Sequence, residues 1–175
     1  MEILNLQLQR LKSATQGSQV TEQIADVSWQ MNKLSDAENI WYKKWKELGA
    51  DRKTAQNDEF HKIAQNLASV YTDHGHFDNA LQVYDMAIDY DKKLYGEKSK
   101  EVARDLNNRA LCRYLKGTTL STNNERKIFF GDAIKDCHDS NTLWTALNLK
   151  QSEFNKQNNE SLEKLIQRDL IKQAN

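Results

Sequence analysis

Through most of the chain, apolar residues recur every three or four positions, the spacing that gathers them on one side of an α-helix. The clearest run joins Leu67, Ala68 and Tyr71 to Phe77, Ala80, Tyr84 and Ala87 across Gly75. It predicts a helical hairpin, with Gly75 supplying a turn conformation that other residues resist. Leu67 and Tyr71 lie four apart on one face of the first helix, and the small Ala68 lets the second helix approach along Ala80, Tyr84 and Ala87.

The pattern repeats. Moving 42 residues on, Asn108, Ala110 and Gly117 fall where Asn66, Ala68 and Gly75 stand. Moving 43 residues back, Ile24-Ala25, Leu34, Ala37 and Trp41 fall at the places of Leu67-Ala68, Phe77, Ala80 and Tyr84. Three hairpins result. Ser35 with Glu38, and Thr122 with Glu125, read as capping boxes opening the second helix of the first and third hairpins. Between Gly117 and Ala133 two registers compete, and the one that sets Phe130 at the Tyr84 position and Ala133 at the Ala87 position is preferred. Leu143, Trp144, Leu147 and Phe154 predict a further amphipathic helix, and Leu162, Leu165, Ile166 and Leu170 a last one after the polar break Asn158-Asn159-Glu160. Ile3, Leu4, Leu8 and Leu11 form a short stripe before Gly17-Ser18. The expected architecture is an all-α, right-handed solenoid in a single domain. A helix over 1–17 and another over 159–173 cap about three repeats spanning 19–155.

Composition agrees and narrows the function. The 175 residues include no proline and six glycines, which removes the usual punctuation of strands and hairpins. Lys and Arg number 25 and Asp and Glu 25, so no bulk field gathers nucleic acid or an anionic membrane. A mean hydropathy of -0.85 and the lack of a long apolar stretch argue against a membrane span. The opening Met1-Glu2-Ile3-Leu4-Asn5 has no signal-peptide character, so a cytoplasmic protein is expected.

The set Leu67-Ala68-x-x-Tyr71, Gly75, Phe77, Ala80, Tyr84 and Ala87 resembles a tetratricopeptide repeat. The 42-residue spacing, with Leu94-Tyr95-Gly96 after the second helix, resembles the kinesin light chain-like variety. The third unit departs from that pattern at Arg109 and Arg113, where apolar or aromatic residues are usual, and no unit ends in proline. The resemblance implies a binding scaffold rather than an enzyme, in which the first helices of successive hairpins line a concave groove for a peptide or a partner helix. Carried onto this sequence, the groove positions include Gln23, Lys62, Gln65, Asn66, Ser69, Arg104, Asn107 and Asn108, with Trp29 on the same side. Amides both donate to and accept from a peptide backbone. Asn66 and Asn108 are therefore the leading ligand contacts. The positions a carboxylate clamp for chaperone C-termini would need carry Gln65 and Ser69, which disfavours that version. A homodimer through apolar end faces is the alternative role.

Little else in the chain has chemical potential. Asp73-His74-Gly75-His76 holds metal-ligand residue types, but histidines flanking a turn glycine are expected to diverge into solvent, so neither a metal nor a cofactor is anticipated. Cys112 and Cys137 are expected as core residues, and His138 beside Cys137 points about 100 degrees away from it on a helix. Lys43-Lys44-x-Lys46 reads as a solvated face. No phosphate loop or hydrolase motif occurs, so no catalytic residues are assigned.

Overall fold

The computed structural model describes residues 1–14, 17–48, 58–149 and 152–174, and among them it holds eight helices and no strand. In chain order these are α1 (Glu2–Ser13), α2 (Ser18–Gln30), α3 (Leu34–Glu47), α4 (Asp58–Asp73), α5 (Phe77–Tyr95), α6 (Lys100–Thr119), α7 (Asn123–Leu147) and α8 (Ser152–Ala174). The boundaries of α2/α3, α4/α5 and α6/α7 fall where the sequence placed three helix pairs. The chain divides into two compact units, Met1–His76 and Phe77–Asn175.

In the first unit Leu8 packs with Val27 and Met31, and Leu4, Leu11 and Ile24 close around them, so α1 covers the flank of α2. Ile3 is 79% exposed and does not belong to that stripe. Trp41 is buried, and Trp45 of α3 meets Phe60 of α4 at a ring separation of 5.3 Å. Two turns follow one design. After α4, the His76 amide donates to the Tyr71 carbonyl and the Gly75 amide to that of Thr72, with Gly75 at φ +82. After α2, the Lys33 amide donates to Ser28 and the Asn32 amide to Trp29, with Asn32 at φ 58. Asn32 stands 43 residues before Gly75, and asparagine is the residue that best replaces glycine in this left-handed cap.

The first capping box does not form. Lys33 occupies the N-cap of α3 without a side-chain bond, Ser35 lies inside the helix, and Glu38 is engaged elsewhere. Of the second, the N-cap half forms at Thr122, whose hydroxyl accepts from the Glu125 amide at 3.3 Å, while the Glu125 carboxylate accepts from that hydroxyl at 2.6 Å. Ser99 caps α6 in the same way, accepting from the Val102 amide.

In the second unit Tyr114, Phe130, Ala133 and Ile166 form a core, with Leu162, Leu165 and Leu170 of α8 against it. Gly117 is not a turn residue. It lies within α6, where an added Cβ would sit 2.6 Å from the Phe130 ring, so its bareness admits Phe130. The turn comes later, and α7 begins 46 residues after α5, which sets Phe130 at the Tyr84 position and Ala133 at the Ala87 position as preferred.

Leu143, Trp144 and Leu147 belong to the end of α7 rather than to a separate helix, and Asn148 in the left-handed region ends it. The side chain of Phe154 lies outside the described residues. Asn158-Asn159-Glu160 is not a break, and the last helix starts at Ser152 rather than at 159. Asn159 is buried instead. Its amide donates to Ser140 Oγ and to Asn141 Oδ1, both at 2.9 Å, while Ser140 donates to the Ala103 carbonyl at 2.6 Å. A buried amide with partners on a neighbouring helix is tolerated inside a helix, and local polarity alone does not distinguish it from a loop.

Candidate functional site

The leading helices carry the candidate contacts in one register. At 100 degrees per residue, Lys62, Gln65, Asn66 and Ser69 share a face of α4, and Arg104, Asn107, Asn108 and Leu111 share the equivalent face of α6. Lys62 and Arg104 are exposed on these faces, and Gln65, Asn66, Ser69, Asn107 and Asn108 are half-buried. Leu111, 43% exposed among these amides, was not singled out by the pattern, although an apolar residue there is the signal that would have found it.

Within the first unit, Glu22 of α2 accepts from Lys62 of α4 at 2.5 Å and from Lys44 of α3 at 2.8 Å. Near the other end of the pair, Trp29 Nε1 donates to Asp73 Oδ2 at 2.7 Å. Residue 22 pairs with 62 and 29 with 73, so α2 and α4 run in the same direction. Gln23 lies exposed beside Glu22. Two sequence expectations change. Trp29 is tied to Asp73 rather than presented freely, and Lys44 is buried against Glu22 rather than solvated. Lys62 keeps an exposed stem, but its ammonium is committed to Glu22.

These placements have electrostatic consequences. Burial pushes the Glu22 carboxyl upward, but hydrogen bonds and charge from Lys44 and Lys62 outweigh it and hold the group below its ordinary value. Burial raises Asp26 on the same helix, with Glu22 adding to the rise and Lys62 opposing it.

The second unit holds a charged network at the positions where the repeat pattern departs. Arg109 binds Asp136 through Nε and Nη2, at 2.9 and 2.7 Å, and reaches Asp85 at 2.6 Å. Arg113 joins Asp136 at 2.6 Å. Asp136 is 2% exposed. The two arginines lie on the side of α6 opposite Asn107 and Asn108, beside a cleft of about 510 Å³ lined by Lys92, Leu106, Lys135 and Asp139 among others. Arginines one turn apart in an otherwise apolar stripe signal a buried acid, but the sequence does not say which.

Tyr114 donates to Asp169 at 2.8 Å, and burial with this bond pushes its phenol up to about 12. Cys112 and Cys137 are buried and not joined in a disulfide, as expected for core residues. Burial, with Glu163 and Asp136 nearby, pushes the Cys137 thiol up to about 12, which suppresses the thiolate a nucleophile needs.

His74 and His76 do not diverge. Their rings lie 4.5 Å apart, and both Nδ1 atoms face the same Glu38 Oε2, at 2.5 and 3.0 Å. The left-handed turn at Gly75 folds them onto one side, which sequence spacing alone did not reveal.

No protein-family model matches this sequence, and no curated protein matches it. Among solved structures, the chain is similar to the crystal structure of BtubC (BKLC) from P. vanneervenii, with a TM-score of 0.52 and 16% identity over 95% of this chain and 70% of that one. That likeness supports an all-α, tetratricopeptide-like helical-repeat fold of the solenoid class. No described helix is long and apolar enough to cross a membrane.

Proposed function

We propose that this chain is a non-enzymatic protein-interaction module that holds an extended peptide or a partner helix against its leading helices. The carrying observation is a pair of amides that recurs 42 residues apart in sequence, Gln65 and Asn66 on α4 and Asn107 and Asn108 on α6, with the Ser69 hydroxyl beside the first pair. The exposed Gln23 extends that face onto α2. Amides partly withdrawn from solvent lose little on desolvation when they meet a peptide backbone, and they fix its direction. Lys62 acts mainly as a strut between α2 and α4.

The test is capture of partners from native lysate by the wild-type chain and by the Asn66→Ala, Asn108→Ala variant. The module reading expects the variant to keep its fold and lose the partner, and equal capture by both would contradict it. A second reading, self-association through an end face, draws on Ile3 and the 51% exposed Leu6, which line a shallow apolar depression on α1. Light scattering over a dilution series, with Leu6→Asp as the variant, separates the two.

A further inference from the structure

We propose that Glu38, His74 and His76 form a binding site for one divalent transition-metal ion of the zinc class. All three belong to the first unit. Glu38 projects from the first turns of α3, His74 directly follows the last residue of α4, and His76 follows the Gly75 turn. One ligand atom from each lies within 4.8 Å of the other two.

The arrangement differs from two ordinary histidine–carboxylate hydrogen bonds. Both rings aim the same nitrogen at the same oxygen, Oε2, although a carboxylate with two acceptor oxygens would serve two donors better by sharing them. Three lone-pair atoms converging on one point are the layout of a cation site. Zinc with imidazole and carboxylate ligands at about 2.0–2.2 Å needs ligand atoms roughly 3.4 Å apart in a tetrahedron. The observed 2.5 and 3.0 Å therefore need an expansion of less than about 1 Å. The side chains have room for it, since His74 is 30% and His76 46% exposed.

Preorganisation comes from the backbone. The pair of capping hydrogen bonds from His76 to Tyr71 and from Gly75 to Thr72 fixes the turn that brings the rings together. The Tyr71 ring, 6.1 Å from that of His76, flanks the second imidazole. Two imidazoles and one carboxylate favour borderline ions such as Zn²⁺, Ni²⁺ and Cu²⁺. Mg²⁺ and Ca²⁺ want mainly oxygen ligands, and the absence of a thiolate from the set disfavours Cu⁺. Three protein ligands leave a fourth position toward solvent for a water. The ion would clamp the start of α3 to the end of α4.

The test is calorimetric titration of ZnCl₂ into the metal-stripped full-length protein, with Co²⁺ absorption in the visible as a second readout. Saturable one-to-one binding is expected, with no response to MgCl₂. His74→Gln combined with His76→Gln should weaken Zn²⁺ binding by more than about 10-fold and abolish the Co²⁺ bands, while the exposed His138→Gln should leave both unchanged. Absence of heat and of Co²⁺ bands in the wild-type protein would overturn the proposal, as would undiminished binding by the double variant. Circular dichroism checks folding. If the double variant does not fold, Glu38→Gln decides by the same criteria, with about a 10-fold loss expected and unchanged affinity overturning the site.

Discussion

Arg109 grips Asp136 with two parallel hydrogen bonds, Nε to Oδ2 at 2.9 Å and Nη2 to Oδ1 at 2.7 Å, at a position where the repeat pattern places an apolar residue. The fork answers for the departure. A buried carboxylate bridging two arginines substitutes for a hydrophobic contact between α6 and α7, and Asp85 holds the outer side of Arg109. Arg109 is correspondingly harder to deprotonate, since the bonds and charge of Asp136 and Asp85 outweigh the effect of burial.

Breaking that network from the inside is expected to be costly. Asp136→Asn leaves two partly buried guanidiniums without their shared anion, and urea unfolding should report a loss of about 3–5 kcal/mol. Replacing Arg109, Arg113 and Asp136 together by leucine should recover much of that loss, because the desolvation cost of the ions disappears with them.

Two carboxylates on α2 should give pH effects of opposite sign. Glu22 lies below its ordinary value of 4.5 in the folded chain, so its contribution is present above that pH and lost as pH falls through the folded value. Glu22→Gln should therefore lower stability at neutral pH and flatten the acid limb of the stability curve. Asp26 is raised above 3.8, so its ionisation opposes folding. Asp26→Asn should stabilise the protein at neutral pH, and the gain should vanish below pH 3.8. Thermal melting across pH 3 to 8 measures both, taking roughly one pKa unit on either side of ordinary carboxylate values as the useful window.

The glycines at 75 and 117 should fail for different reasons. Gly75→Ala has open space for its methyl group but forces alanine into the left-handed region, at about 1–2 kcal/mol. Gly75→Asn should cost less, since Asn32 already occupies the equivalent turn. Gly117→Ala meets the buried Phe130 ring, and overpacking of about 1–3 kcal/mol should outweigh the gain of roughly 1 kcal/mol in helix propensity. Chemical denaturation of the three variants separates strain from clash.

Asn159→Leu tests the buried polar link between α7 and α8. It removes the donor to Ser140 and Asn141 and places a larger apolar group against them, so a loss of about 1–3 kcal/mol is expected. Asn158→Leu, on the exposed side of the same helix, should change stability by less than about 0.5 kcal/mol. Parallel denaturation curves measure the difference.

The repeating apolar stripes made the helices legible because each stripe is a local consequence of burying one side. Asn32 and Gly75 show how far that goes, since the two turns align although the residue differs. What escaped were contacts between polar residues distant in sequence. Glu38 fits a capping box by spacing, yet turns to His74 and His76 because their turn brings a better partner. Asn159 looks like a break but is buried, and Gly117 looks like a turn but makes room for a ring. The amide faces of α4 and α6 were legible from register alone, whereas the commitment of Lys62 and Trp29 to Glu22 and Asp73 needed three dimensions.

The central claim is that the amide faces of the leading helices take a ligand backbone, and the most direct measurement is chemical-shift mapping with peptides selected from a displayed random library. The account predicts shifts centred on Gln23, Gln65 and Asn66, and on Asn107 and Asn108. It also predicts that Asn66→Ala lowers affinity at least about fivefold, or about 1 kcal/mol, with no change in melting temperature. Shifts confined to other surfaces, or an affinity indifferent to Asn66 and Asn108, would contradict it.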